Sequence, residues 1–351
     1  MAYILEPMMK SKIIVTGGTG YIGSHTAVEL ITSGFDVVII DNLYNSDITV
    51  LDGIQSITGV KPKFYDHDLC DSIKLGEIFA AEGKIDAIIH FAAYKAVGES
   101  VRKPLEYYRN NLVSLMNLLE MMERNDTPAI VFSSSCTVYG QPDTLPVTEA
   151  SPVKEAASPY GYTKQVGEYM IRDTMAARPA QKAISLRYFN PIGAHPTAYI
   201  GELPHGVPEN LVPFITQTAI GLRNELKVFG NDYNTPDGSC IRDYLHVVDL
   251  AKAHVVALKR LMEGKNKENY EVFNLGTGKG VSVFEIITAF ERATGVRVPY
   301  MVTGKRAGDI EKIWADPSLA NTEMNWKTEI TLDEAMETAW RWEQRIRNKN
   351  P

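Results

Sequence analysis

Ile13-Ile14-Val15-Thr16-Gly17-Gly18-Thr19-Gly20-Tyr21-Ile22-Gly23 governs how the rest of the chain is read. A short β-branched run, a glycine-dense turn and an amphipathic stretch ending near Gly34 predict a strand, a loop and a helix start. Two spacings fit, Gly18-x-Gly20-x-x-Gly23 and Gly17-x-x-Gly20-x-x-Gly23. Glycines let the backbone approach a pyrophosphate without a Cβ in the way, and the helix N-terminus adds unpaired N–H groups and a favourable dipole. Val37-Val38-Ile39-Ile40 reads as a second buried strand with Asp41 at its end, about twenty residues past the glycines, where a ribose-binding acid is expected. A carboxylate there accepts from a 2′-hydroxyl and repels a 2′-phosphate, so the expected cofactor is NAD rather than NADP.

The 351 residues allow one large or two ordinary domains. Hydrophobic residues at 44% and charged residues at 23% fit a soluble globular chain. A net charge of −7 without a basic stripe argues against a nucleic-acid partner. No apolar run approaches the ~20 residues of a membrane span, so no membrane association is expected. Residues 1–10 lack a signal-peptide pattern and read as an extension. Cys70, Cys136 and Cys240 are scattered and odd in number, which points to a reducing, cytoplasmic setting. The seven histidines form no ligand motif, so no metal is expected, and His90 at a strand end is read as packed and hydrogen-bonded.

Further strands are expected at Lys63-Phe64-Tyr65, at Ala87-Ile88-Ile89-His90 running into Phe91-Ala92-Ala93, at Ala129-Ile130-Val131-Phe132, and at Ile184-Ser185-Leu186. Asp68 and Leu69 stand at one strand end, where they serve either an adenine ring or the start of the next helix. One long helix over 104–124, striped by Leu105, Tyr108, Leu112, Leu115, Leu119 and Met122, is expected to face the core. Strands and helices alternating in this way require a parallel sheet with right-handed crossovers. Beyond Phe189 the texture turns rich in Pro, Gly and Asn, with a helical piece near 212–222; periodicity returns at 247–261 and a buried strand at 272–276. Capping boxes Ser282-x-x-Glu285 and Thr331-x-x-Glu334 open two late helices, the first stopping at Gly295.

The chemistry is concentrated in two stretches. Ser133-Ser134-Ser135 follows a central strand, and Tyr160-Gly161-Tyr162-Thr163-Lys164 enters a helix on which residues four apart share a face. A phenol is a weak base at neutral pH, but a nearby ammonium and a positive nicotinamide both favour phenolate. Tyr160 is therefore expected to take a proton from a substrate hydroxyl, with Lys164 tuning it and Ser135 holding the oxygen.

These stretches, together with Lys95-Ala96-Val97-Gly98-Glu99-Ser100, Tyr188-Phe189-Asn190-Pro191 and Gly230-Asn231-Asp232-Tyr233, resemble the UDP-glucose 4-epimerases of the extended short-chain dehydrogenase/reductase superfamily. The resemblance runs over about 12–342. It implies an α/β fold: a Rossmann-like doubly wound parallel sheet over 10–188, rejoined by segments near 241–280, with a smaller C-terminal α/β substrate-binding domain over 189–351. It implies NAD contacts from Gly17, Gly20, Tyr21, Ile22, Gly23, Asp41, Asn42, Asp68, Leu69, Phe91, Ala92, Lys95, Asn110, Ser133, Tyr160, Lys164 and Tyr188. It places Lys95, Ser135, Thr137, Phe189, Asn190, Asn210, Leu211, Phe229, Arg242, Arg306, Asp309 and Ile313 around a UDP-sugar.

The implied reaction is reversible C4 epimerisation of UDP-galactose and UDP-glucose through a 4-keto sugar, in a homodimer joined through helices that include part of 104–124. Cys136 stands where the family more often has alanine, which leaves a thiol beside the site. Ile313 stands where a tyrosine or a smaller residue sets the room for an N-acetyl group, so N-acetylated substrates stay open. Two rival readings stand beside it. A sugar-nucleotide 4,6-dehydratase needs an acid and a base beside the catalytic hydroxyl, and Cys136-Thr137-Val138 supplies no carboxylate. A non-catalytic NAD-sensing regulator would have no use for Ser135, Tyr160 and Lys164 together.

Overall fold

A computed structural model describes residues 10–305 and 309–348, so the extension up to residue 9 and Arg306 lie outside the described residues. The first half alternates strands β1 (Lys12–Thr16), β2 (Asp36–Asp41), β3 (Lys63–Asp66), β4 (Ala87–His90), β5 (Ala129–Ser133) and β6 (Lys182–Tyr188) with helices. These helices are α1 (Tyr21–Thr32), α2 (Val50–Thr58), α3 (Ser72–Glu82), α4 (Val97–Arg102), α5 (Pro104–Tyr108), α6 (Ser114–Arg124) and α7 (Pro159–Ala177). The second half contributes β7 (Asn190–Ile192), α8 (Leu211–Ala219), β8 (Leu226–Phe229), β9 (Ile241–Arg242), β10 (Tyr244–His246), α9 (Val247–Met262) and β11 (Tyr270–Leu275). It closes with β12 (Val281–Ser282), α10 (Val283–Thr294), β13 (Tyr300–Thr303), β14 (Lys312–Ile313), α11 (Ser318–Glu323) and α12 (Leu332–Asn348).

The large sheet is seven-stranded and parallel throughout, in the order β3-β2-β1-β4-β5-β6-β11. Its central strands read as unbroken apolar runs because helices cover both faces. Alternate side chains fall into separate cores. Ile13, Val15 and Ile39 pack with Ala27 and Leu30 of α1 and Leu250 and Ala257 of α9. Ile14, Val38, Ile40 and Ile88 pack with Leu75 and Phe79 of α3 and Leu115 and Met122 of α6. The chain leaves β3 at one edge and re-enters at β4 beside β1, so strand order reverses between β1 and β4 and opens a crevice at their C-terminal ends.

Residues after β7 build three small sheets, β7 with β10, β12-β9-β14, and β8 with β13, around a third core shared by α8, α10 and α12. Both capping boxes form. Ser282 and Glu285 exchange bonds at the start of α10, which ends on left-handed Gly295, and Thr331 and Glu334 do the same before α12.

The expected single helix over 104–124 is corrected by the structure. Between α5 and α6, Arg109–Val113 forms a π-turn, and Leu105 is 78% exposed while Leu115, Leu118, Leu119 and Met122 are buried. A π-turn adds one residue to the helical repeat and rotates everything before it relative to everything after. The apolar stripe is thus split: its C-terminal half faces the core and Leu105 faces outward. Val97, Val101, Met116, Tyr162 and Tyr169 are also exposed, on helices α4, α6 and α7 that pack on one another and on α5.

Candidate active site

The crevice between β1 and β4 begins with Gly17, whose φ of +69° is a left-handed conformation. A Cβ there would lie 2.7 Å from the Ala92 backbone nitrogen, and one at Gly23 would collide with the Gly17 carbonyl. Any side chain would therefore fill the cradle or push the turn off the sheet. Gly20 N donates to Gly17 O at 3.1 Å, and Gly20 caps α1 without a side chain of its own. The first N–H groups of α1 are left to an anion.

At the end of β2, Asp41 accepts from Thr19 N (3.1 Å), Leu43 N (3.0 Å) and the Ser46 hydroxyl (3.2 Å). Those bonds tie the glycine turn to the ribose acid. The sequence reading missed Thr19 and Ser46; their only signal was nearness to the turn and to Asp41. Asp68 and Leu69 serve one end of the cavity, and the helix start falls to Asp71, whose carboxylate caps α3. Tyr44 and Tyr94, also missed, stack with ring centroids 4.5 Å apart along the same wall.

All these groups line one cavity of about 690 Å³. Its wall includes every residue expected to touch NAD: Gly17, Gly20, Tyr21, Ile22, Gly23, Asp41, Asn42, Asp68, Leu69, Phe91, Ala92, Lys95, Asn110, Ser133, Tyr160, Lys164 and Tyr188. The π-turn carries Asn110 to this wall and sets Asn111 behind it. Asn111 accepts from Tyr94 N at 2.8 Å and donates to the Thr163 hydroxyl at 3.1 Å. Of the residues expected around the sugar nucleotide, Lys95, Ser135, Thr137, Phe189, Asn190 and Asn210 share the wall. Leu211, Phe229, Arg242, Asp309 and Ile313 stand outside it. Arg242 lies 4.0 Å from Asp309 and pairs across β9 and β14 with Ile313, which is 2% exposed. Glu202, missed by the sequence reading, accepts from Asn210 (2.5 Å) and Lys95 (3.4 Å), joining one expected substrate contact to one expected of both ligands.

The three serines after β5 divide their work. Ser133 Oγ bonds the Tyr188 hydroxyl, Ser134 donates to Glu168 at 2.5 Å, and Ser135 lines the cavity while accepting from Thr137 N at 3.2 Å. Ser158 caps α7 and Pro159 starts it, which puts Tyr160 in the first turn, at the positive end of the helix dipole. Lys164, one turn on, is buried, donates to Ser133 O at 2.7 Å, and lies 4.9 Å from the Phe132 ring centroid and 5.9 Å from that of Tyr160.

Burial lowers Lys164 from the usual ammonium value to about 7, with Glu168 opposing. Burial raises the Tyr160 phenol well above its ordinary value, reinforced by Tyr188, with hydrogen bonding to Ser135 working the other way. The sequence reading expects phenolate to be favoured by the ammonium together with a positive nicotinamide, and burial in the protein acts against it. The protein alone favours a neutral tyrosine, and added positive charge is needed to draw out its proton. Cys136 lines the cavity, but burial lifts its thiol to about 12, which keeps it protonated and unreactive. His90 is buried, with Nδ1 2.7 Å from the Thr16 hydroxyl. Among the described residues no cluster of His, Cys, Asp and Glu is arranged to hold a metal.

The cavity fits a dinucleotide by the glycine cradle that a Cβ would fill, with Asp41 on the same wall at the end of β2, and the Thr137 hydroxyl, buried on the wall without a hydrogen-bond partner among the described residues, is left for a further ligand. A family model described as the NAD dependent epimerase/dehydratase family matches residues 13–276. The chain is 47% identical over 339 residues to a UDP-glucose 4-epimerase of Dictyostelium discoideum, covering 97% of each chain. The Bifidobacterium longum UDP-glucose 4-epimerase, solved with NAD+ and UDP, superposes with a TM-score of 0.92 at 45% identity, covering 96% of this chain and 99% of that one. A UDP-Glc/GlcNAc 4-epimerase of Campylobacter jejuni gives 0.81 at 36% identity over 95% and 99%. With glycine cradle, ribose acid and Ser–Tyr–Lys set in one crevice and these matches across nearly its whole length, the chain belongs to the NAD dependent epimerase/dehydratase family.

Proposed function

We infer that this chain interconverts UDP-galactose and UDP-glucose by inverting C4 of the hexose, with NAD held and not consumed. The observation that carries this reading is the convergence of Ser135, Tyr160 and Lys164 on the cavity that holds the glycine cradle. When bound, NAD supplies a hydride acceptor for C4, returns the hydride to the ring's other face, and brings the positive charge that the buried phenol lacks.

The remaining work falls to side chains. Tyr160 takes the proton of the 4-hydroxyl, aided by the N-terminus of α7 and by the Lys164 ammonium, and gives it back to the 4-keto sugar's oxygen. Ser135 accepts from Thr137 N and hydrogen-bonds Tyr160, so its hydroxyl stands between the sugar oxygen and the phenol and can relay the proton. Lys164 is oriented by the Ser133 carbonyl. Inversion requires the sugar to turn while the nucleotide stays put. The resemblance assigns Arg242, with Phe229, Arg306 and Asp309, to the UDP, where a guanidinium would meet the diphosphate with two bonds.

In this reading 10–188, with the returning strand β11, forms the cofactor unit and 189–351 the sugar-nucleotide unit. Ile313, aliphatic and smaller than tyrosine, supports acceptance of UDP-N-acetylhexosamines as well. The outward apolar residues of α4, α5, α6 and α7 support a homodimer built on that face. Three free cysteines without a disulfide, and no described helix long and apolar enough to cross a membrane, support a cytoplasmic setting.

Tyr160→Phe tests the central assignment. Purified variant is expected to retain its NAD and to lose turnover of UDP-galactose by about 10²–10⁴-fold, the usual worth of a positioned proton-transfer group. Near-parental turnover would remove Tyr160 as the base. Release of a stable keto-deoxy sugar by the parent, in place of UDP-glucose, would assign a dehydratase instead.

A further inference from the structure

Behind the reacting set lies a buried polar network that the mechanism above does not use. Glu168, one turn beyond Lys164 on α7, is 6% exposed. Its Oε1 accepts from the Ser134 hydroxyl at 2.5 Å and from Arg187 Nε at 2.8 Å, and its Oε2 from Arg187 Nη2 at 2.5 Å. Arg187, on β6 and also 6% exposed, donates through Nη1 to the Tyr139 hydroxyl at 3.0 Å, and that hydroxyl donates to Asn274 Oδ1 at 2.6 Å on β11. One carboxylate thus joins the catalytic helix to the ends of three neighbouring strands.

Its place in the chain gives the network a role. Ser134 sits between Ser133, whose carbonyl orients the Lys164 ammonium, and Ser135, which faces the substrate. A hydroxyl held from behind fixes both neighbours, because rotating residue 134 moves the carbonyl before it and the side chain after it. We infer that Glu168 is a positioning residue for the Ser135–Tyr160–Lys164 set, clamping the strand end through Ser134 and standing as the fixed negative charge behind Lys164. This rests on the assignment of those three residues made above.

The other groups around the ammonium supply no rival countercharge. Tyr160 on α7 and Tyr188 on β6 are neutral phenols by burial until the site is loaded, and His90 on β4 is held neutral by burial, so none of them is a fixed negative charge. Glu168 is the group that opposes the loss of the Lys164 proton. Removing its charge makes the ammonium disappear at lower pH.

The experiment compares the NAD-loaded parent with E168Q, E168D, S134A and Y160F, measuring bound NAD after denaturation and the pH profiles of kcat and KM for UDP-galactose. E168Q is expected to keep its NAD and a KM within about threefold, to lose at least about tenfold in kcat, and to shift the alkaline limb of kcat acidward by about half a unit or more. E168D, with the charge retained on a shorter arm, is expected to lose kcat with that limb unmoved. S134A, which deletes one hydrogen bond and no charge, is expected to do the same. An E168Q profile that overlays the parent, or that falls without moving its alkaline limb, overturns the charge role; S134A at parental kcat overturns the clamp. Should Arg187 left unpaired prevent E168Q from folding, E168Q/R187Q carries the same expectation. If Y160F keeps full turnover, the underlying assignment fails; if Y160F is inactive while E168Q matches the parent, only the present inference fails.

Discussion

At Tyr160 two effects of the same burial compete. A low-dielectric wall raises the phenol and lowers the lysine, yet it also strengthens any positive charge brought alongside, which favours loss of the phenol's proton. The tyrosine and lysine were legible in the sequence because their spacing on a helix is fixed. Their resting state was not, because it depends on what encloses them. Ile313 poses the opposite problem. Its side chain is 2% exposed in β14, in register with Arg242 and packed in the first core, so bulk added there has little room. Ile313→Tyr is expected to cost about 1–3 kcal/mol of stability by overpacking. It should lower turnover of UDP-N-acetylgalactosamine at least about tenfold relative to UDP-galactose, about the penalty of one misfit group in a pocket. Equal losses on both substrates, measured by product formation, would detach Ile313 from substrate choice.

Among the elements, the strands β1, β2, β4 and β5 announced themselves because burial on two faces requires unbroken apolar runs, and α10 and α12 because their capping boxes are local. Strands β7, β9, β12 and β14, two or three residues long, carry no pattern of their own and exist only through long-range partners. The π-turn at Arg109–Val113 was equally silent, since one extra residue per turn leaves the composition unchanged. Its consequence is large. It carries Asn110 to the cavity wall and leaves Leu105, with Val97 and Val101, facing outward at 78%, 46% and 61% exposure. Apolar side chains gathered on helices that pack together are the material of a subunit interface. Val101→Glu with Leu105→Glu is expected to turn a dimer into a monomer in sedimentation velocity at micromolar protein, with NAD content unchanged. A parent that sediments as a monomer would dispose of the dimer.

Across the whole molecule, His25, His90, His246 and His254 are buried where their surroundings require neutrality. His25 on α1 and His254 on α9 each place Nδ1 within 2.8 Å of a backbone carbonyl, of Tyr21 and Leu250, and have Nε2 buried without a partner among the described residues. His246 accepts from Val248 N to cap α9 and lies 3.1 Å from the Thr338 hydroxyl of α12. Burial lowers His25 and His90 to about 3 and His246 and His254 to about 4. In each case the folded value is below the unfolded one, near 6.5, so the unfolded chain binds more protons as pH falls. The stability these residues contribute is complete above pH 6.5 and is lost progressively below it, by about 2 kcal/mol each at pH 5. Glu29, Glu149, Asp243 and Asp249, raised by burial, act in the opposite direction. Against a typical net stability of about 5–15 kcal/mol, the Tm followed by circular dichroism should drop steeply between pH 6.5 and 5. A Tm unchanged over that interval would mean that these rings are reached by water in the folded chain.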